Sequence, residues 1–482
     1  KTDGEHFNYY AHVAKLITIR GMVFRHNRGT RRLAIKDVST AFLQSHSYPD
    51  GKAKLIKFKN PITGAWMYFE QSGPIYGENA APVLWENTIA PEIEALGFER
   101  GCNERCVFKH ENSDFPVALY VDDILMDGEE EDIDWFDEKM DADRGGKFIC
   151  KPLEFLTEDN PIDFIGCLIF EDAERIYFSM QPYVELVLDR FKDLLDTLPK
   201  RKVTVPMADP IDPDSELLPW KQTKLFLELL GCFGWLSNTG RPDLSYAHSR
   251  IGQHTAAPTI SALEACFHVL RYCRDERDWC LSMPKFAENQ DVTSLLADSG
   301  EGVDAHGWTM YADSDHAGNA EKQNKRRSQN GYCAAVDGGM VMWASKVTGI
   351  AFATPLIGES HPDVSSGASE IYCTGNATFA LLHLSYCMEE AGNKFPFPMP
   401  LQLDNTAAIC FCDDSSNKTN LKHIDCRQEW IKTIRDKKIV SPFYVPSEEN
   451  WADMFTKLLK PDTFIKLRSM MMVRKNVKKA KS

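Results

Sequence analysis

Positive charge is what this chain is short of. Its 55 lysines and arginines face 70 aspartates and glutamates, a formal net charge of −15 over 482 residues. Such a deficit weighs against a protein that grips a polyanion with its whole surface, because phosphate contacts supply most nonspecific nucleic-acid affinity. The chain also has no apolar run approaching the roughly 18 residues of a membrane span, so no membrane partner is expected. Its first residues show no charged-then-apolar pattern, and secretion is not indicated. The 14 cysteines are scattered and form no paired Cys-x-x-Cys of zinc type. Cys102 with Cys106 and Cys410 with Cys412 are the closest pairs, and neither brings a histidine at zinc-finger spacing. Reduced core or surface thiols are therefore expected. No internal repeat is visible. What is there is 43% hydrophobic and 26% charged, enough to bury two or three cores.

The charge is unevenly spread, and distribution matters more than the sum. Residues 128–143, containing Glu129-Glu130-Glu131-Asp132, form an acidic block expected on a solvated loop or helix face. Residues 25–32, 200–202, 322–327 and 466–482 are basic clusters, each either a track for a duplex or a solvated face.

Within Ala118-Leu119-Tyr120-Val121-Asp122-Asp123-Ile124-Leu125, two adjacent carboxylates interrupt an apolar run that otherwise reads as one buried strand. The pattern predicts a β-hairpin turning on Asp122-Asp123, with both acids at an exposed tip. On its own the pair is equally an ordinary Asx-type turn. Upstream, Asp37 ends another strand-like run, Leu33-Ala34-Ile35-Lys36-Asp37, and three carboxylates that converge need cations to neutralise them. Mg²⁺ is the hard, oxygen-seeking ion for such a set.

A second acidic series occupies the last third. Trp308-Thr309-Met310-Tyr311-Ala312-Asp313 places an acid at a strand end, and a hairpin is expected across Asp337-Gly338-Gly339. Residues 365–384 have helix-compatible composition with Glu370 in the first turns. Leu401-Gln402-Leu403-Asp404 is another strand ending in an acid, and Asn450-Trp451-Ala452-Asp453 opens a final helix. Singly, each acid is more often a surface group or cap than a ligand. The order strand, helix, strand, helix is the specific feature.

Taken together, the chain resembles the reverse transcriptase and ribonuclease H part of a copia-type LTR-retrotransposon Pol polyprotein, nearly end to end. Asp37-Val38-Ser39-Thr40-Ala41-Phe42-Leu43 resembles the first catalytic motif, and Tyr120-Val121-Asp122-Asp123 is similar to the second. Ile75-Tyr76-Gly77, then Ala81-Pro82 and Trp85, resembles the nucleotide-side motif between them. The resemblance implies an α+β palm and fingers polymerase domain with a helical thumb or connection, followed by an α/β ribonuclease H-like domain. It implies two Mg²⁺ per site, with Mn²⁺ as a substitute, held by Asp37, Asp122 and Asp123 and by Asp313, Glu370, Asp404 and Asp453. Phe42 would be the steric gate against a 2′-hydroxyl, with a core aromatic as the other reading, and Tyr76 and Gly77 candidate nucleotide contacts. Implied partners are an RNA template, a DNA primer, the RNA/DNA hybrid, dNTPs and other polyprotein products. The implied location is a cytoplasmic virus-like particle, with the nucleus as a further site. Lys422-His423-Ile424-Asp425 matches another signature of the family; His423 reads either as a hybrid contact or as a helix-start residue and is not counted as catalytic.

Motifs and breakers set the expected domains: palm with partial fingers over 1–195, thumb or connection and linker over 196–304, ribonuclease H over 305–465, and a mobile basic tail over 466–482. Helices are expected over 184–195, 225–237 and 260–272, and Arg241 and Asp243 are expected to brace a helix junction. Three departures from the family pattern stand against full activity. Residues 4–14 resemble the segment just after the fingers motif, which reads as a fragment or a decayed element. Asn79, Ala80 and Val83 replace the usual Lys, Gln and Arg, and residues 350–364 read as an insertion before the Glu370 helix, where Ala368 and Ser369 replace Glu and Ala. The alternative expectation is a decayed or co-opted relic that binds nucleic acid without polymerising.

Overall fold

The computed structural model describes residues 10–25, 30–48, 54–285, 308–315, 327–336, 338–348, 366–393, 395, 397–412 and 422–476. The chain divides into two compact units, Lys1–Ile165 with Tyr386–Lys394, and Gly166–Ser385 with Phe395–Ser482. Both mix helix and sheet, compatible with the expected α+β polymerase and ribonuclease H-like folds.

The first unit is built on a six-stranded antiparallel sheet. Its order is Phe98–Arg100, Val107–His110, Pro116–Tyr120, Asp123–Gly128, Arg32–Asp37 and Glu154–Phe155. Leu33, Ala34, Val117, Ala118, Ile124 and Leu125 are fully buried, so the apolar runs around the acids are the sheet's core. The hairpin differs from expectation by one residue. Tyr120 pairs with Asp123, leaving Val121 and Asp122 as the turn and Asp123 in the strand. Nor is the tip exposed, since Val121, Asp122 and Asp123 are all half-buried. The acidic block supplies the helix Glu130–Met140: Ile133, Phe136 and Met140 face the core, while Glu130, Glu131 and Asp132 lie in the first turn, where the helix dipole favours negative charge. Lys54–Lys59 and Trp66–Gln71 form a separate two-stranded ribbon.

In the second unit, Gly339–Val347, Gln329–Val336 and Trp308–Asp315 are neighbours in antiparallel, and Met399–Leu403 and Val440–Tyr444 extend that sheet in parallel. Val336 pairs with Gly339 around the expected turn; Asp337 lies outside the described residues, as do residues 286–307, 316–326 and 349–365. Cys167–Glu171, Arg175–Ser179, Trp279–Pro284 and Val473–Arg474 pair antiparallel in that order. The helix expected over 184–195 is two, Gln181–Arg190 and Lys192–Thr197, broken at Phe191. Trp220–Thr239 and Ile260–Asp275 extend the other two expected helices.

Between them Arg241 donates two hydrogen bonds to Asp243, at 2.9 and 2.7 Å, with both side chains buried. The Tyr272 hydroxyl also donates to Asp243 at 2.6 Å, and Arg468 donates to that hydroxyl at 2.7 Å. Arg468 belongs to the helix Pro461–Met471, which buries Phe464, Leu467 and Met471. Residues 466–476 are therefore not a basic tail: Arg468 among them closes a core, and Val473–Arg474 adds a strand. Residues 477–482 lie outside the described residues.

Candidate active sites

In the first unit, antiparallel register sets Asp37 directly opposite Asp123. Asp122 is held beside them through its backbone, its carbonyl accepting from the Val38 N–H at 2.9 Å. The turn that presents Asp122 is strained, because the β-branched Val121 has φ 60°, a region that L residues rarely occupy. Trp85, buried in the helix Ala81–Ala95, donates its indole N–H to the Val121 carbonyl at 2.6 Å and so fixes that turn. Burial, reinforced by the charges of Asp122 and Asp37, pushes Asp123 up to about 7. Asp122 is raised for the same reasons, burial first and then Asp37. One cation answers them: Lys151 donates to Asp37 at 2.7 Å with 61% of its side chain in solvent.

Phe42, in the short turn Ala41–Gln44, is half-buried, and its ring meets that of Tyr76 at 4.9 Å. Tyr76 is half exposed, and its hydroxyl is raised by burial and by the negative charges of Asp122 and Asp37. Gly77 follows at φ 93°.

In the second unit, Asp313, Asp404 and Asp453 bring carboxylate oxygens within 4.8 Å of one another; among the described residues it is the one group of metal-ligating side chains so close. Gly331, paired with Asp313, explains part of this. A Cβ there would lie 2.6 Å from Thr456 Cγ2 and 2.8 Å from Phe455 Cβ, so only glycine lets the turn Asp453–Thr456 reach the strand. Thr456 then donates its hydroxyl to Asp313. Lys457 donates to Asp453 at 2.8 Å and to Asp313 at 3.3 Å, and Ser447 donates to Asp404 at 2.8 Å. Glu370 lies outside the tight trio but is buried, and burial together with the charges of Asp313 and Asp404 holds it well above the carboxylate range. Burial and Asp313 push Asp453 to about 7. Desolvation works against Lys457, yet Asp313 and Asp453 raise it on balance.

Ser369, where the family pattern has alanine, shares a buried hydroxyl–hydroxyl hydrogen bond with Ser314 beside the site. His423 falls in the helix Lys422–Asp436, but its side chain lies outside the described residues. Trp85, Lys151, Thr456 and Lys457 had no assigned role from sequence. The single local signal was the i,i+4 spacing of Asp453 and Lys457.

No family model matches the chain. It is 23% identical over 402 residues to the retrovirus-related Pol polyprotein from transposon TNT 1-94 of Nicotiana tabacum, covering 81% of this chain and 27% of that protein. It is 28% identical over 327 residues to a putative transposon Ty5-1 protein of Saccharomyces cerevisiae, covering 64% and 92%. The Pol polyprotein from transposon RE2 of Arabidopsis thaliana is 24% identical over 397 residues, covering 81% and 24%. The chain thus spans about a quarter of the plant polyproteins and most of the Ty5-1 protein. Strand-end acids in two separate units and this set of relatives define a retroelement polyprotein region. Over 64 to 89% of its length the chain is similar to copia-type LTR-retrotransposon Pol polyproteins.

Proposed function

We propose that the chain is an RNA-directed DNA polymerase joined to a ribonuclease H, acting on an RNA template, a DNA primer and dNTPs, with other polyprotein products as neighbours in a cytoplasmic particle or the nucleus. The observation that carries this reading is the convergence of Asp313, Asp404 and Asp453, with Glu370 beside them. Buried carboxylates at such spacing are costly unless cations answer them, and an all-oxygen donor set suits Mg²⁺, with Mn²⁺ as a substitute. Asp313, Glu370, Asp404 and Asp453 would hold the ions in one site, and Asp37, Asp122 and Asp123 in the other. When bound, such ions lower the pKa of an attacking oxygen and neutralise charge on the phosphoryl group.

The chain's own residues orient these ligands. Trp85 and Val38 fix the Asp122 turn, while Thr456 and Lys457 fix Asp313. The Phe42–Tyr76 pair offers a ring surface for a nucleotide sugar, with Phe42 the gate that disfavours a 2′-hydroxyl. In polymerisation the primer 3′-oxygen bonds to the α-phosphorus as pyrophosphate leaves; in cleavage, water takes the place of the primer oxygen and the RNA 3′-oxygen leaves.

The test is an end-labelled DNA primer on a labelled RNA template with Mg²⁺ and all four dNTPs, both strands resolved on one gel. Asp122→Asn is expected to abolish extension and spare RNA cleavage, and Asp404→Asn the reverse, each by about 10² to 10³-fold. Loss of both activities in either variant would show that the sites are not independent. Neither product from the unaltered chain would favour the relic reading, to which Asn79, Ala80 and Val83 lend weight.

A further inference from the structure

The ribbon Lys54–Lys59/Trp66–Gln71 exposes more large apolar side chains than a surface hairpin needs. Leu55, Phe58, Trp66, Tyr68 and Phe69 are 40 to 72% exposed. Isolated two-stranded ribbons are marginal in water, so such exposure has to be accounted for.

Strand alternation sorts the side chains into two faces. On one, Phe58 and Phe69 stack at 5.0 Å, with Ile56 opposite Phe69 and Met67 opposite Phe58, so this face packs against itself. On the other, Lys59 lies opposite Trp66 and Lys57 opposite Tyr68. The Lys57 and Lys59 ammonium groups sit 5.0 and 5.4 Å from the Trp66 ring centre. Each cross-strand pair supplies one ring and one cation, and the pair repeats after two residues, about 7 Å along the strand.

The charge of the ribbon is opposite to that of the whole. Lys54, Lys57 and Lys59 against Glu70 give it +2 in a chain of −15. Its root leads back to the polymerase site. Glu78, one residue past Gly77, accepts from Tyr48 at 2.7 Å, from Gln71 at 2.7 Å and from Lys54 at 3.3 Å. The ribbon therefore grows from the two segments that carry Phe42 and Tyr76.

We propose that the Lys57–Lys59–Trp66–Tyr68 face of this ribbon binds single-stranded nucleic acid, the unpaired template ahead of the polymerase site, with bases stacked on the two rings and phosphates on the two ammonium groups. Stacking rings set beside cations form the surface that holds single strands without reading sequence. A protein partner would suit the self-packed Phe58–Phe69 face no worse than this one; only a polyanion uses the lysines. The assignment rests on the polymerase reading.

The test measures binding of fluorescein-labelled U20 RNA and of a blunt 20-base-pair RNA/DNA hybrid to the full chain by fluorescence anisotropy. Trp66→Ala with Tyr68→Ala is expected to weaken U20 binding about 10- to 100-fold and to change hybrid binding by less than about twofold. Lys57→Gln with Lys59→Gln, which keeps the rings that shape the ribbon, is expected to lower the salt dependence of U20 binding by about 1.4 in log–log slope. Phe58→Ala, on the opposite face, is expected to leave U20 affinity within about twofold. Unchanged U20 binding in the aromatic and lysine variants, or equal loss for U20 and hybrid, overturns the proposal. So does a change in oligomeric state by light scattering with U20 affinity intact. If the unaltered chain binds neither probe, the polymerase reading fails first and takes the ribbon with it.

Discussion

At the first site the acids meet a lysine standing largely in solvent, Lys151, which donates to Asp37. In the second site the lysine is drawn in among them, and Lys457 spans Asp313 and Asp453 while Thr456 adds a hydroxyl. Both sites use strand-end aspartates, and both hold a carboxylate near 7 through burial and its neighbours. They differ in what assembles them. The second site carries its own counter-cation, and three of its carboxylates already lie within 4.8 Å. The first relies on backbone, a strained Val121 and the Trp85 hydrogen bond, to put its acids side by side. One is held by charge, the other by main-chain geometry.

Removing the two cations should break that contrast most visibly. Lys457→Met leaves buried carboxylates unanswered and is expected to lower metal-free stability by about 2 to 3 kcal/mol, a value reduced for its partial exposure. Lys151→Met, at an exposed pair, is expected to cost under about 1 kcal/mol. Urea melts in EDTA check both, and equal losses would dissolve the distinction. Next in size is the main-chain side of the contrast. Trp85→Phe is expected to slow primer extension about tenfold with RNA cleavage unchanged, and Val121→Gly, which tolerates φ 60° without strain, should restore most of it. Extension that stays low in the double variant would remove the turn from the explanation.

A smaller effect sharpens the comparison through pH. Asp123 and Asp453 titrate near 7 in the folded, metal-free chain and near 4 when unfolded, so the folded state binds more protons between those values. Stability contributed by these groups is then present at low pH and lost as pH rises from about 4 to 7. Melts in EDTA at pH 5 and pH 7, corrected with Asp123→Asn and Asp453→Asn variants, should show that slope. Lys457→Met should steepen it, because the cation that favours ionised Asp453 is gone.

The acids themselves were legible because charge inside an apolar run has few structural excuses. Asp37, Asp123 and Asp404 fall at strand ends or just beyond them, where the runs placed them, while the strand that carries Asp313 continues two residues past it to Asp315. The hairpin turn was misplaced by one residue because valine has no propensity for a left-handed φ, and a tryptophan 36 positions away supplies the compensation. The end of the chain was misread because its cations were counted as solvated. Arg468 is 3% exposed, and the spacing of Phe464, Leu467 and Met471, three and four residues apart, was the helical signal beneath the charge. The hydrogen bond of Trp85 was beyond reach for a plainer reason: it acts on a turn that only the folded chain brings near it, whereas Lys457 had its i,i+4 spacing to Asp453 as a local signal.

The short strand Val473–Arg474 has a consequence for synthesis on the ribosome. Its partner, Trp279–Pro284, buries Cys280, Leu281 and Met283, yet the Val473 carbonyl that meets Cys280 is made 193 residues later. At ordinary translation rates that is a wait of roughly 10 to 40 s with an apolar strand edge open. Premature termination anywhere in that interval releases a chain whose half-finished sheet is free to pair with its own copies.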